Sequence, residues 1–242
     1  MMMDTFIPLV VGHLLGDFVL QSDTMVRRKA ETGVLLLHAL IVTVATTAVL
    51  GAVPVAALLV FITHVAIDWV KVHLMPRRGT WFLVDQGAHL VALLVIAWVF
   101  REAAWANVWV SLLWEGEAGP YRRVLAYVGG FVLCVPAGGA LIGAFFHPLT
   151  EQVKEIEMEG LRHGGRYIGW LERSLIFLLL VMGYPEGIGF LFAAKSIFRF
   201  GEIKEPRQRK LAEYIIIGSF MSFGWALLSA HLTGQLLVVW VE

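Results

Sequence analysis

Three His/Asp pairs at a four-residue step, His13/Asp17, His64/Asp68 and Asp85/His89, lie inside three strongly apolar stretches of the chain. On an α-helix that step puts both members of a pair on one face. Ionisable groups in hydrocarbon are costly, so a membrane helix that carries them turns them toward a partner, a cavity or an ion. Imidazole suits Zn, Fe or Mn and carboxylate suits Mn or Mg, which together describe a site for a divalent metal. His13, Asp17, His38, His64, Asp68, Asp85 and His89 are therefore the candidate ligands, enough for one or two ions of Zn, Mn or Mg. Asp17, Asp68 and Asp85 double as candidate general bases, and Lys71 as a group that steadies developing negative charge. Gln21 and Gln86 are candidate substrate contacts. The alternative is a buried network, Asp68 with Lys71 for example, that only holds helices together.

These residues must be carried by membrane helices. The chain is 58% hydrophobic and 16% charged, with mean hydropathy +0.75, whereas soluble domains are nearer one quarter charged. Zero net charge and the lack of a basic arm argue against a nucleic-acid partner. Cys134 is the single cysteine, so no disulfide can form within the chain. The start, MMMDTFIPLVVG, has an acid and no basic residue before its apolar run, which argues for a retained first helix over a cleaved signal.

Eight apolar segments are expected, at about 5–22, 33–51, 53–74, 82–101, 124–146, 169–183, 187–199 and 212–235. The fold class is thus an all-α polytopic helix bundle. The sixth and seventh segments are short and are divided by Gly183-Tyr184-Pro185-Glu186-Gly187, so they are either two spans or one re-entrant hairpin. The polar stretch 147–168 separates an N-terminal part, 1–146, from a C-terminal part, 169–242. With both termini outside, only Arg101, Arg122 and Arg123 of the 19 Lys and Arg residues fall on the outer side. That orientation predicts a multi-pass membrane protein with both termini outside. It also brings the polar groups of the first four helices to one layer, roughly 5–13 Å below the cytoplasmic interface.

A second polar group is expected at the same depth, with Glu172 and Arg173 opening segment six, Lys195 and Arg199 closing segment seven, and Glu213 and Tyr214 opening segment eight. Lys195, Arg199, Arg173 and Glu172 are candidate substrate contacts, the cations as an anion site. Snorkelling of Lys195 to the interface is the plainer alternative. The tryptophans fall mostly near segment ends, as an interfacial belt would place them. Gly138-Gly139 and Gly164-Gly165 match no phosphate loop.

The string His13-Leu-Leu-Gly-Asp17-Phe-Val-Leu-Gln21, with His38, His64-xxx-Asp68-xx-Lys71 and Asp85-Gln86-xx-His89, resembles a family of bacterial membrane proteins catalogued as a domain of unknown function. Arg166 to Arg173 and Gly187 to Phe200 resemble a C-terminal extension found on many members. This resemblance implies a place in a bacterial cytoplasmic membrane and brings no established activity. More loosely, HxxxD on short helices is similar to proteins labelled membrane-bound metal-dependent hydrolases.

Three functions fit these residues. The first is a metal-dependent hydrolase of a lipid-linked ester or phosphoester, with membrane lipid or an anionic small molecule as partner. The second is a metal- or proton-coupled transporter, against which stands the scarcity of charge in the outer halves of the helices. The third is a non-catalytic scaffold.

Overall fold

The computed structural model describes residues 2–51, 54–75, 79–101, 107–153, 163–197 and 206–241, and its elements are all helical. In chain order they are α1 (Met2–Phe18), α2 (Asp23–Arg28), α3 (Thr32–Leu50), α4 (Pro54–Leu74), α5 (Gly79–Val99) and α6 (Val108–Trp114). Then follow α7 (Ala118–Val132), a π-helical turn (Leu133–Ala137), α8 (Gly138–Val153), α9 (Gly164–Val181), α10 (Glu186–Ile197) and α11 (Pro206–Trp240). Among the described residues, five stretches are long and apolar enough to cross a membrane: Thr32–Leu50, Val55–Leu74, Gly79–Val99, Ala118–His147 and Ala212–Trp240. Each of the eight expected segments contains a described helix, but fewer meet that measure. Helix α1 has 17 residues and α10 has 12, and α9 carries Arg166, Glu172 and Arg173. At 1.5 Å per residue α10 reaches only about 18 Å, short of the roughly 30 Å hydrocarbon core.

The chain forms two compact units, Met1–Val132 with Gln235–Glu242, and Leu133–Gly234. In the first, α1 packs against α3, α5 and α7, and α4 packs against α3 and α5. Gly12 and Gly16, one turn apart on α1, make the contact with α3 possible. A Cβ on Gly12 would overlap the Thr46 backbone, and one on Gly16 would lie 2.8 Å from Val42 Cα. Small residues at this spacing let membrane helices approach closely, where packing takes the place of hydrophobic driving force. Gly16 directly precedes Asp17, whose Oδ1 lies 3.1 Å from His38 Nε2 of α3.

The far end of α3 is tied down group by group. A helix leaves its last carbonyls without intrahelical partners, and residues 107–121 supply donors for them. Trp109 Nε1 donates to Ala48 O, Tyr121 Oη to Val49 O, Asn107 Nδ2 to Leu50 O and the Val108 amide to Gly51 O. Gly51 closes the helix at φ 76°, a left-handed conformation that favours glycine. Asp4 Oδ1 accepts from Arg122 Nε at 2.8 Å and Trp240 Nε1 at 2.9 Å, which binds the start of α1 to α7 and to the last turn of the chain.

In the second unit, Pro136 sits in the π-helical turn. Proline lacks an N–H and interrupts the helical ladder, leaving carbonyls to be met from elsewhere. Leu133 O accepts from Trp225 Nε1 at 2.9 Å, and Val135 O accepts from Arg173 Nη2 at 3.0 Å and Nε at 3.3 Å. Ile176, Phe177, Cys134, Phe223 and Ala226 form the apolar core around these bonds. Helices α9 and α10 pack together as a hairpin whose turn contains Gly183 at φ 78°. Residues 154–162 of the expected polar connection lie outside the described residues.

Candidate metal centre

The first unit delivers its ligands from alternating helix ends. His13 and Asp17 are in the last turns of α1 and His38 in the second turn of α3. His64 lies midway along α4 with Asp68 one turn further on, and Asp85 is in the second turn of α5 with His89 at its midpoint. Antiparallel neighbours therefore bring all seven to one level. Every one is buried, from 0% exposed for His38, Asp68 and Asp85 to 8% for Asp17. Among the described residues, three sets could hold an ion: His13–Asp17–His64, His38–His64–Asp68 and Asp68–Asp85–His89. Within each set one ligand atom per residue lies within 4.8 Å of the others. Helix α4 enters every set, with His64 shared by two and Asp68 by two.

The hydrogen bonds define which face of each ring is turned inward. His89 Nδ1 is 3.0 Å from Asp85 O, and a carbonyl only accepts, so that nitrogen carries the proton. The neutral ring then has a bare lone pair at Nε2, which is buried without a hydrogen bond. His38 is oriented in the same way. Gln21, with its amide turned to satisfy both ends, donates to Asp17 O at 3.3 Å and accepts from His38 Nδ1 at 3.3 Å and from Lys29 Nζ at 3.2 Å. The remaining His38 Nε2 faces Asp17 Oδ1 at 3.1 Å and His64 Nε2 at 3.1 Å. Holding one imidazole nitrogen by a backbone or amide oxygen so that the other is free to coordinate is the arrangement of metal-binding histidines.

His13 Nε2, Asp68 Oδ1 and Asp85 Oδ1 are likewise buried without hydrogen bonds. A cluster of acceptors with few donors inside a protein is unfavourable unless a cation enters it. Three rings crowd around that of His64, with centroids 5.6 Å away for His13, 5.1 Å for His38 and 4.5 Å for His89.

Two lysines border the cluster. Lys71 Nζ is 2.5 Å from Asp85 Oδ2, so its partner is Asp85 and not Asp68. Asp68 Oδ2 is paired instead with Lys29 Nζ at 2.7 Å. Lys29 is a site residue that the sequence concealed, since it stands in the run Arg27-Arg28-Lys29 and reads there as ordinary positive-inside charge. Only its burial, at 7% exposed beside exposed Arg27 and Arg28, sets it apart. Gln86 Nε2 donates to Asp85 Oδ2 at 3.1 Å and lies 3.4 Å from Asp17 Oδ2, so Gln21 and Gln86 both face the cluster.

The other candidates belong to the second unit. Arg173, 4% exposed, donates to Val135 O and to Ser222 Oγ at 3.1 Å. Lys195 Nζ is 2.5 Å from Glu172 Oε1 and lies over the Phe223 ring at 5.5 Å. Arg199 lies outside the described residues.

The family model described as "Protein of unknown function (DUF3307)" matches residues 5–114. That segment contains all seven His/Asp groups with Gln21, Lys29, Lys71 and Gln86. The match ends before the second unit begins. No curated protein and no solved structure matches the chain.

Proposed function

We propose that this chain is a multi-pass protein of a bacterial cytoplasmic membrane, with both termini outside, whose His/Asp centre hydrolyses an ester or phosphoester linkage of a membrane lipid. The observation that carries the reading is the pair of histidines, His38 and His89, whose proton-bearing nitrogens are held away from the cluster so that lone pairs face carboxylates across a site with few donors. A divalent ion bound there would supply acidified water and a polarised carbonyl or phosphoryl oxygen. Asp68 and Asp85, each steadied by a lysine, would hold it with histidines of the ligand sets they share. Asp17, which accepts from Gln86 Nε2, would take a proton from the attacking water. As water adds to the acyl or phosphoryl centre the ester oxygen leaves, and the proton passes to it as the alcohol departs. Lys71, partly open to the surroundings of the site, offsets the charge that develops.

The purified protein in phospholipid vesicles tests this. Metal-dependent release of product that disappears in Asp68→Asn is the expected result. Metal-dependent uptake of solute with no product would reject hydrolysis in favour of transport, and neither activity would leave a scaffold.

A further inference from the structure

Resting on the reading of the cluster as a metal centre, we propose that its metal-loaded form binds a phosphate-bearing anion, held between the ion and the ammonium groups of Lys29 and Lys71. Both lysines bond carboxylates of the same ligand set, Asp68–Asp85–His89. Each lysine lies against the Oδ2 atom of its aspartate, while Asp68 Oδ1, Asp85 Oδ1 and His89 Nε2 are buried without hydrogen bonds. Each aspartate of the set thus keeps one oxygen that carries no lysine. Each ammonium then stands one carboxylate away from the ion.

The donor count leaves room for a further ligand. An ammonium group has three N–H donors. Lys29 uses them on Asp68 and Gln21, and Lys71 on Asp85, so both retain donors after these bonds are made. Charge points the same way. Three carboxylates and two ammonium groups leave the cluster net negative with neutral histidines, and a single divalent ion reverses the sign. A tetrahedral anion with several oxygens can meet the ion and both lysines together, which a halide cannot. Lys71 is one-third exposed and lies 5.9 Å from the Phe82 ring centroid, whereas Lys29 is 9% exposed at the side chain. Lys71 is thus the ammonium on the open side and Lys29 the one at the base.

The test is calorimetric titration of inorganic phosphate into the purified full-length protein, with and without Zn2+ or Mn2+. Phosphate should bind only the metal-loaded protein. Lys29→Met and Lys71→Met should each weaken it by about 10-fold or more while metal stoichiometry is kept, and the charge-preserving Lys29→Arg and Lys71→Arg should restore most of the affinity. Equal phosphate binding by the methionine variants, or by metal-free protein, overturns the anion site. Metal uptake with no phosphate binding also overturns it but leaves the metal centre intact. No metal uptake at all removes both. Competition assigns the source: displacement by glycerol 3-phosphate supports a water-soluble phosphoester, and displacement only by phosphatidylcholine vesicles containing phosphatidate supports a lipid headgroup. Displacement by neither overturns a phosphoester ligand.

Discussion

The two units both bury charged side chains among apolar helices, and they treat them in opposite ways. In the second, Arg173 is used up on Val135 O and Ser222, Trp225 on Leu133 O, and Lys195 on Glu172. Ser219, Ser229 and Thr233 of α11 donate to carbonyls one turn back. In the first unit, the cluster keeps acceptor atoms without hydrogen bonds. Among the described residues, every buried side-chain nitrogen or oxygen in that condition belongs to His13, Asp68, Asp85 or His89. Buried polar groups are almost always satisfied, so an exception concentrated in one place marks where something else binds. Burial and charge alone do not separate a brace from a site. Unmet bonding capacity does.

The sharpest way to break this contrast is to remove one charge from each unit. Asp68→Asn leaves the Lys29 ammonium buried without its counter-charge, and should lower the stability of metal-free protein by about 3–5 kcal/mol. Thermal unfolding in detergent reads this out, and an unchanged midpoint would show that the pair is not a buried one. Arg173→Ala strips the π-helical turn of its charged donor and should cost about 2–3 kcal/mol. Its metal content should nevertheless match wild type, and loss of metal would erase the distinction between the units. Gln21→Ala is the mildest change. It releases the His38 tautomer and should weaken metal binding by about 10-fold, with little effect on unfolding. Unaltered affinity would mean that the Gln21 contact does not orient His38.

The cluster was legible because helix periodicity is local: a four-residue step puts His64 and Asp68 together whatever surrounds them. The alternation of helix ends, read from apolar segments, was enough to place His13, His38, His64 and Asp85 at one level. Lys29 was not legible, because its burial depends on the path of the chain through α2, and its neighbours in the sequence look identical to it. The partner of Asp68 was hidden for the same reason, since Lys71 is close in sequence on the same helix face while Lys29 arrives from elsewhere. Similarly, no local pattern revealed that residues 107–121 would cap the carbonyls of Ala48 to Gly51. The number of membrane-crossing helices was least accessible, because α1, α9 and α10 are apolar but short or charged, and hydropathy alone does not distinguish a span from a packed hairpin.

The most direct test of the metal centre is elemental analysis of protein purified with Zn2+ or Mn2+ supplied, comparing wild type with the double variant His64→Ala/Asp68→Asn and with Glu172→Gln. Each of the three ligand sets found among the described residues contains His64 or Asp68, and none contains Glu172. Wild type and Glu172→Gln should carry at least about one divalent ion per chain, while the double variant should lose most of it. Equal metal in all three proteins, or none in wild type, would contradict a metal centre at the His/Asp cluster.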